Sequence, residues 1–309
     1  MDNLCHSLLG AALGKAGLSR RTPLGMSTLV VANNLPDIDV AVFATDTLAM
    51  SFRRGWTHGV LAQATLPIAL TALVVLGDRL FRRQAVERAR PGQILLLSYV
   101  GILLHVFLDF LNSYGVRLLM PFSERWFYGD ALYIVDPIMY LTLGLGWWLA
   151  LRREKAGGAN PFTPARIGLA VAAAYVLAML GSNLIARREV AQGLARAGRP
   201  EHTRFMVTPV FLNPFQREVI VDVGDRYEKG LLWFEPLPHF RPAGYGVMKG
   251  LDSPDARALL EAPRAQAFLR WSRFPFVQAN PTESEAGVWL NDYRYANAGP
   301  YGWAAQKLQ

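Results

Sequence analysis

QILLLSYVGILLHVFLDFL, residues Gln93 to Leu111, is apolar enough and long enough to be a helix in a membrane. It holds no lysine, arginine or glutamate, and its charge-bearing positions are His105 and Asp109. These two lie four residues apart, so on a helix they share a face, one turn from each other. An ionisable pair among Ile, Leu, Val and Phe is costly in lipid and marks a functional position unless something compensates it. From Ile94 to Asp109 the helix climbs roughly 23 Å, so the pair approaches one end of the span.

Outward from this stretch the same character repeats. Val60 to Gly77 and Ile167 to Ala186 are uncharged runs, each long enough for a bilayer core of about 30 Å. Ala131 to Leu151 is a further apolar segment, interrupted by Asp136. Leu4 to Leu18 and Thr22 to Leu35 are shorter and are expected as a helical hairpin against the longer helices. The whole chain is 52% hydrophobic and 18% charged, with a mean hydropathy of +0.17. Those figures exclude a disordered chain, a fibrous repeat and a nucleic-acid-binding tail. One cysteine, Cys5, excludes an internal disulfide and a cysteine-based zinc site. No basic stretch precedes an apolar run at the start, so no cleaved leader is expected.

After Arg187 prolines, aromatics and charges return. Glu218 to Val223 alternates with period two, Gly224-Asp225 supplies a turn, and Leu231 to Phe234 offers a partner strand. Ser253-Pro254 signals a short helix to Glu261, which Pro263 should break before a second helix ending at Trp271. Trp271, Trp289, Tyr293 and Tyr295 are aromatic core or surface anchors. The expected fold is mainly α: a polytopic membrane bundle of about six helices, the first two short, over residues 1–190. A soluble, extracytoplasmic α+β domain follows over residues 191–309.

The net charge of +8 is partly topological. Lys15, Arg20 and Arg21, the arginines between Arg79 and Arg90, and Arg152, Arg153, Lys155 and Arg166 occupy alternate loops. The intervening loops hold only Arg53, Arg54, Arg117 and Arg125. Basic loops stay in the cytoplasm, which puts both termini outside and leaves nucleic acid off the expected partners. Arg187, Arg188, Arg196 and Arg199, after the last apolar run, oppose that orientation. In it, His6, Asp37 with Asp39, His58, and His105 with Asp109 all fall toward the outer face. Each alone has an ordinary reading as a cap, an interfacial histidine or a packing pair; together they favour a site. Imidazole with carboxylate and no thiolate suits zinc, manganese or iron. His202 and His239 lack ligand-like spacing.

The ordered set His6-Ser7-Leu8-Leu9-Gly10, Leu35-Pro36-Asp37-Ile38-Asp39, Arg54-Gly55-Trp56-Thr57-His58 and His105-Val106-Phe107-Leu108-Asp109 resembles the YdjM/YfhP-like family. These are bacterial inner-membrane proteins described as predicted metal-dependent hydrolases. Asn112-Ser113-Tyr114-Gly115, Pro121-Phe122 and Val135-Asp136-Pro137 extend the likeness over about residues 1–140. Members often read His-Arg-Gly-x-Thr-His-Ser, whereas this chain has Arg53 for the first histidine and Gly59 for the serine. The order of histidines and aspartates is also similar, by analogy only, to zinc-dependent phospholipase C.

The resemblance implies a divalent metal, zinc before manganese or iron, held by His6, Asp37, Asp39, His58, His105 and Asp109. The expected activity is hydrolysis of a phosphoester or other ester, on a lipid or lipid-linked substrate, by hydroxide generated on the metal at the outer face. Asp37 or Asp39 supplies a general base or bridges two ions. Arg53 and Arg54 hold a phosphate or snorkel to head groups. Asp136 is favoured as a helix cap. A transporter or proton relay would scatter polar groups toward the midplane and repeat its halves, and no repeat is seen. A structural protein whose metal locks the bundle would use the same ligands.

Overall fold

The computed structural model describes residues 1–45, 49–280, 287–298 and 304–308. It contains a helical unit, Met1–Thr45 with Phe52–Gly181, and a second unit, Asp46–Ser51 with Ser182–Gln309, whose longer part begins inside a helix.

The helical unit starts with α1 (Asn3–Lys15), whose N-cap Asp2 accepts the Cys5 N–H at 2.9 Å. A short α2 (Gly25–Ala32) follows, then a 3-10 stretch, Leu35–Ala44; the single turn α3 (Ala49–Phe52) comes next in the chain, its residues 49–51 belonging to the second unit. The long helices are α4 (Val60–Phe81), α5 (Pro91–Phe110), α6 (Pro137–Lys155) and α7 (Thr163–Arg196). Helices thus form at all six apolar segments, yet among the described residues only α4, α5 and α7 are long and apolar enough to cross a membrane. The other expected spans differ for local reasons. α2 has only eight residues, and α6 ends in Arg152, Arg153, Glu154 and Lys155. Residues 131–135 of the apolar segment precede the helix: Pro137 begins α6, and Asp136 is its cap, as expected, accepting the N–H groups of Ile138 and Met139 at 3.1 and 3.2 Å. Its other oxygen accepts from the Tyr175 hydroxyl. α7 also outruns its apolar segment, so Arg187 and Arg188 lie within the helix rather than in a loop.

The core of this unit joins Cys5 and Leu9 of α1, Leu108 of α5, Leu143 of α6 and Val176 of α7. Gly101 of α5 lets α2 come close, because a Cβ there would stand 2.4 Å from the Cβ of Ala32. That approach brings the residue after α2, Asn33, against His105.

In the second unit β1 (Phe205–Val210), β2 (Asn213–Asp222), β3 (Arg226–Phe234) and β4 (Pro238–Met248) form an antiparallel meander. Ala186, Val190 and Leu194 of α7 pack on Val207, Val219, Val221 and Leu232. The alternating stretch in β2 is buried on both faces. Ile220 and Met206 meet Tyr227, Phe274, Phe276 and Tyr293 on the other side. α8 (Pro254–Leu260) starts on a Ser253 cap, α9 (Pro263–Trp271) starts at the expected proline, and β5 (Pro275–Asn280), β6 (Gly287–Asp292) and β7 (Ala305–Lys307) make a second sheet. Trp271 and Tyr293 are core.

Candidate metal centre

Four side chains converge inside the helical unit. Asp37 comes from the 3-10 stretch, His58 from the turn before α4, and His105 and Asp109 from the last turns of α5. One ligand atom from each lies within 4.8 Å of every other. The two Nε2 atoms of His58 and His105 are 3.1 Å apart. His58 Nε2 stands 3.3 Å from Asp109 Oδ2 and 3.8 Å from Asp37 Oδ1, and His105 Nε2 is 3.8 Å from both carboxylates. A tetrahedral ion with bonds of 2.0–2.1 Å needs ligand atoms roughly 3.3 Å apart, so these spacings are near those of a four-ligand shell.

The hydrogen bonding fits the same purpose. His105 Nδ1 donates to the Asn33 carbonyl at 2.7 Å, which leaves Nε2 as the lone-pair nitrogen facing the group. His58 Nδ1 meets Thr57 Oγ1 at 2.9 Å and Asp39 Oδ2 at 3.6 Å, and Thr57 Oγ1 donates to Asp39 at 3.0 Å. Both histidines are therefore oriented from behind, as metal-bound imidazoles are. Asp37 Oδ1 is buried with no hydrogen-bond partner. Asp109 Oδ2 accepts no well-directed bond either, although Arg54 Nε lies 3.1 Å from it. Both of these oxygens face the imidazoles, a third such oxygen, Asp39 Oδ1, lies behind them near Arg53, and a buried carboxylate oxygen without a donor is costly. Burial, and next the charge of Asp109, push the Asp37 carboxyl above its ordinary value. A divalent cation would relieve both penalties, and two imidazoles with two carboxylates suit zinc, manganese or iron.

The other expected ligands stand outside the four. Asp39 sits behind His58 and also accepts the Arg54 N–H at 2.7 Å. His6 stacks on His105, ring centres 3.8 Å apart, and its Nε2 is 3.3 Å from Asp109 Oδ1. The Met1 amino group pairs with that same oxygen. Arg54 departs most from its expected role as a phosphate clamp. It is buried, and its Nη2 donates to Asp109 Oδ1 at 3.1 Å while Nη1 donates to Asn112 Oδ1 at 3.2 Å. Its φ of 49° is left-handed, a strained setting for arginine that turns its N–H to Asp39 and its guanidinium inward. Arg53 remains at the rim, 3.5 Å from Asp39 and 5.3 Å from the Phe43 ring centre.

Three contributors lay beyond the sequence reading. The Asn33 carbonyl is a backbone group and leaves no residue signal. Thr57 and Asn112 stand inside quoted motifs and were assigned no role there. Gly59, in place of the family serine, fits a close crossing, because a Cβ would fall 2.4 Å from the Met120 carbonyl oxygen.

Long apolar helices around a closed His/Asp cluster define a membrane protein with a metal-binding type of core. The family model of the YdjM inner membrane protein matches residues 1–189, and the chain belongs to that family. A curated relative, described as uncharacterized protein YfhP of Bacillus subtilis (strain 168), is 24% identical over 153 residues. That match covers 46% of this chain and 44% of the relative. No solved structure matches.

Proposed function

We propose that this protein is a membrane-embedded, metal-dependent hydrolase acting on a phosphoester or other ester, carried by a lipid or lipid-linked molecule, at the outer face of the membrane. The observation that carries the reading is the group of Asp37, His58, His105 and Asp109, with one oxygen of each carboxylate turned to the imidazoles and accepting no well-directed hydrogen bond. Bound there, a divalent ion would supply Lewis acidity and a water of lowered pKa. The chain's own residues supply the rest. Asn33 and Thr57 with Asp39 fix the imidazoles, and Arg54 fixes Asp109. Asp37, on the 3-10 stretch and 6% exposed, is the group nearest the surface and the one suited to take a proton from water.

Beside it, Ile38, Val40, Phe43 and Trp56 are exposed although they neighbour the buried aspartates in sequence. This apolar rim supports lateral entry of a lipid, with the Arg53 guanidinium placed for an anionic head group. The outer-face assignment rests on the alternating basic loops.

A second reading is favoured by one observation. His58, His105 and Asp109 are 0% exposed, and four protein donors make a closed shell of the kind structural sites use. In that reading the ion locks α4, α5 and the 3-10 stretch together.

The test uses the full chain in detergent, loaded in turn with zinc, manganese and iron. It is assayed on bis-p-nitrophenyl phosphate, a p-nitrophenyl ester and phosphatidylglycerol. Metal-dependent turnover that chelation abolishes, with the helical circular dichroism retained, supports the hydrolase. A loaded protein that turns over none of these and unfolds on chelation supports the lock instead.

A further inference from the structure

One end of the four-stranded sheet is apolar. Val210 stands opposite Asn213, Gln216 opposite Trp233 and Phe234 opposite Pro238, so the β1–β2 and β3–β4 turns share that end. Leu212, Phe215 and Leu237 lie there, 67%, 67% and 69% exposed. Leu212 occupies the hairpin apex with φ 61°, the left-handed region where such turns usually place glycine or asparagine. A leucine there bears the strain and gains no burial in the fold. The opposite end is an ordinary polar turn, with Gly224 at φ 105° and its N–H donating to Asp222 Oδ1 at 3.1 Å. Just behind the apolar turns, the Arg241 guanidinium lies 6.0 Å from the Trp233 ring centre, and His239 is exposed opposite Trp233. Glu235 is the acidic side chain of this end. Tryptophan with basic neighbours is the composition found at head-group level.

The sheet is pinned to α7 inside the apolar run Ile167 to Ala186. Arg217 Nη2 donates to Ser182 Oγ at 2.5 Å, and Asn183 Nδ2 donates to the Val207 carbonyl at 3.1 Å. Leu184 and Ile185 are exposed at this level, and Arg187 and Arg188 follow on the helix. Past the helix end, Arg199 lies 3.6 Å from Glu228, on the side of the polar turn. The apolar-to-basic order along α7 is that of a helix leaving a bilayer.

We propose that the β1–β2 and β3–β4 turns insert Leu212, Phe215 and Leu237 into the membrane that α7 enters, anchoring the C-terminal unit at its head-group boundary. The depth suited to such side chains is about 5–10 Å. This holds whether or not the metal centre is catalytic.

Cys5 is the one native cysteine and is buried, so single labels can be placed elsewhere. Leu212→Cys, Leu237→Cys and Asp225→Cys, each in the full chain, would carry bimane in phosphatidylethanolamine/phosphatidylglycerol nanodiscs made with or without brominated acyl chains. The expected result is a blue-shifted emission at 212 and 237 that brominated lipid quenches and aqueous iodide does not. The label at 225 should behave oppositely. In detergent, circular dichroism of each variant matching the parent chain shows that the fold survives labelling. Iodide quenching at 212 and 237 equal to that at 225 overturns the proposal. Protection from both quenchers also overturns it, since a protein surface would then cover the turns.

Discussion

Asp109 in the helical unit and Asp292 in the C-terminal unit are both buried, and the chain treats them differently. Every oxygen of Asp292 is satisfied by protein. Oδ1 accepts the Arg294 N–H and Nε at 2.9 Å each, and Oδ2 accepts the Ser272 hydroxyl at 2.5 Å, the Arg273 N–H at 2.9 Å and Arg294 Nη2 at 2.8 Å. Asp109 has a full set of partners on Oδ1, yet its Oδ2 has only the Arg54 Nε ion pair at 3.1 Å and faces two imidazole nitrogens and the unpartnered Asp37 Oδ1. One carboxylate is fully hydrogen-bonded by the fold, and the other keeps one oxygen turned to the imidazoles with no well-directed hydrogen bond. That contrast, more than the mere burial of charge, separates a structural ion pair from a candidate site.

Substitutions sharpen the contrast. Asp109→Ala should abolish metal binding, and with it the proposed hydrolysis, while the C-terminal sheets keep their hydrogen-exchange protection. Asp292→Ala should do the reverse. It leaves the buried Arg294 without its carboxylate, a loss of about 3–5 kcal/mol, read as faster exchange in β5 and β6 with metal content unchanged. If Asp292→Ala also released metal, the two carboxylates would not be independent and the comparison would fail.

Smaller effects probe the support around the centre. Asp39→Asn, which weakens the backing of His58 but leaves the four ligands, should lower metal affinity by about 10–100-fold, measured by competition with a chelating dye. Gly59→Ser, which restores the family residue, should cost about 1–3 kcal/mol in thermal unfolding, because the Met120 carbonyl occupies the space its side chain needs. The gentlest perturbation is acid. Burial opposes ionisation of Asp292, but the Arg294 charge and its hydrogen bonds outweigh it and hold this carboxyl below its ordinary range. Its contribution is therefore present above the unfolded value of about 3.9 and declines as pH falls through the lower folded value. Exchange protection in β6 should not change on this account between neutral pH and about 5, and should weaken below 4.

Much of this was legible in the chain itself. The apolar runs placed six helices, and the i, i+4 pair on α5 announced His105 and Asp109 as neighbours. Ser253-Pro254 and Pro263 marked the starts of α8 and α9. Other parts were hidden for physical reasons. Asp37 and Asp39 are near-identical in sequence context, but successive positions of a 3-10 stretch point in different directions, so one faces the centre and the other the back of His58. Arg54 looked like an exposed anion clamp because its left-handed backbone, which turns it inward, leaves no mark on residue type. The period-two pattern of β2 marked a strand, but the aromatics from β3, β5 and the segments beside them that bury Ile220 are distant in sequence and leave no mark on it. α1 and α2 have 13 and 8 residues and α6 ends in a charged turn, so apolar runs in the sequence did not become helices both long and apolar enough to cross a membrane there.

The most direct test of the central claim is the metal content of the full-length protein, purified without chelator and offered zinc, manganese and iron, beside a His58→Ala/His105→Ala double variant. The account predicts bound divalent metal in the parent chain, with nitrogen and oxygen ligands at about 2.0–2.2 Å by X-ray absorption, and none in the variant. A metal-free parent chain, or metal retained undiminished by the variant, would contradict it.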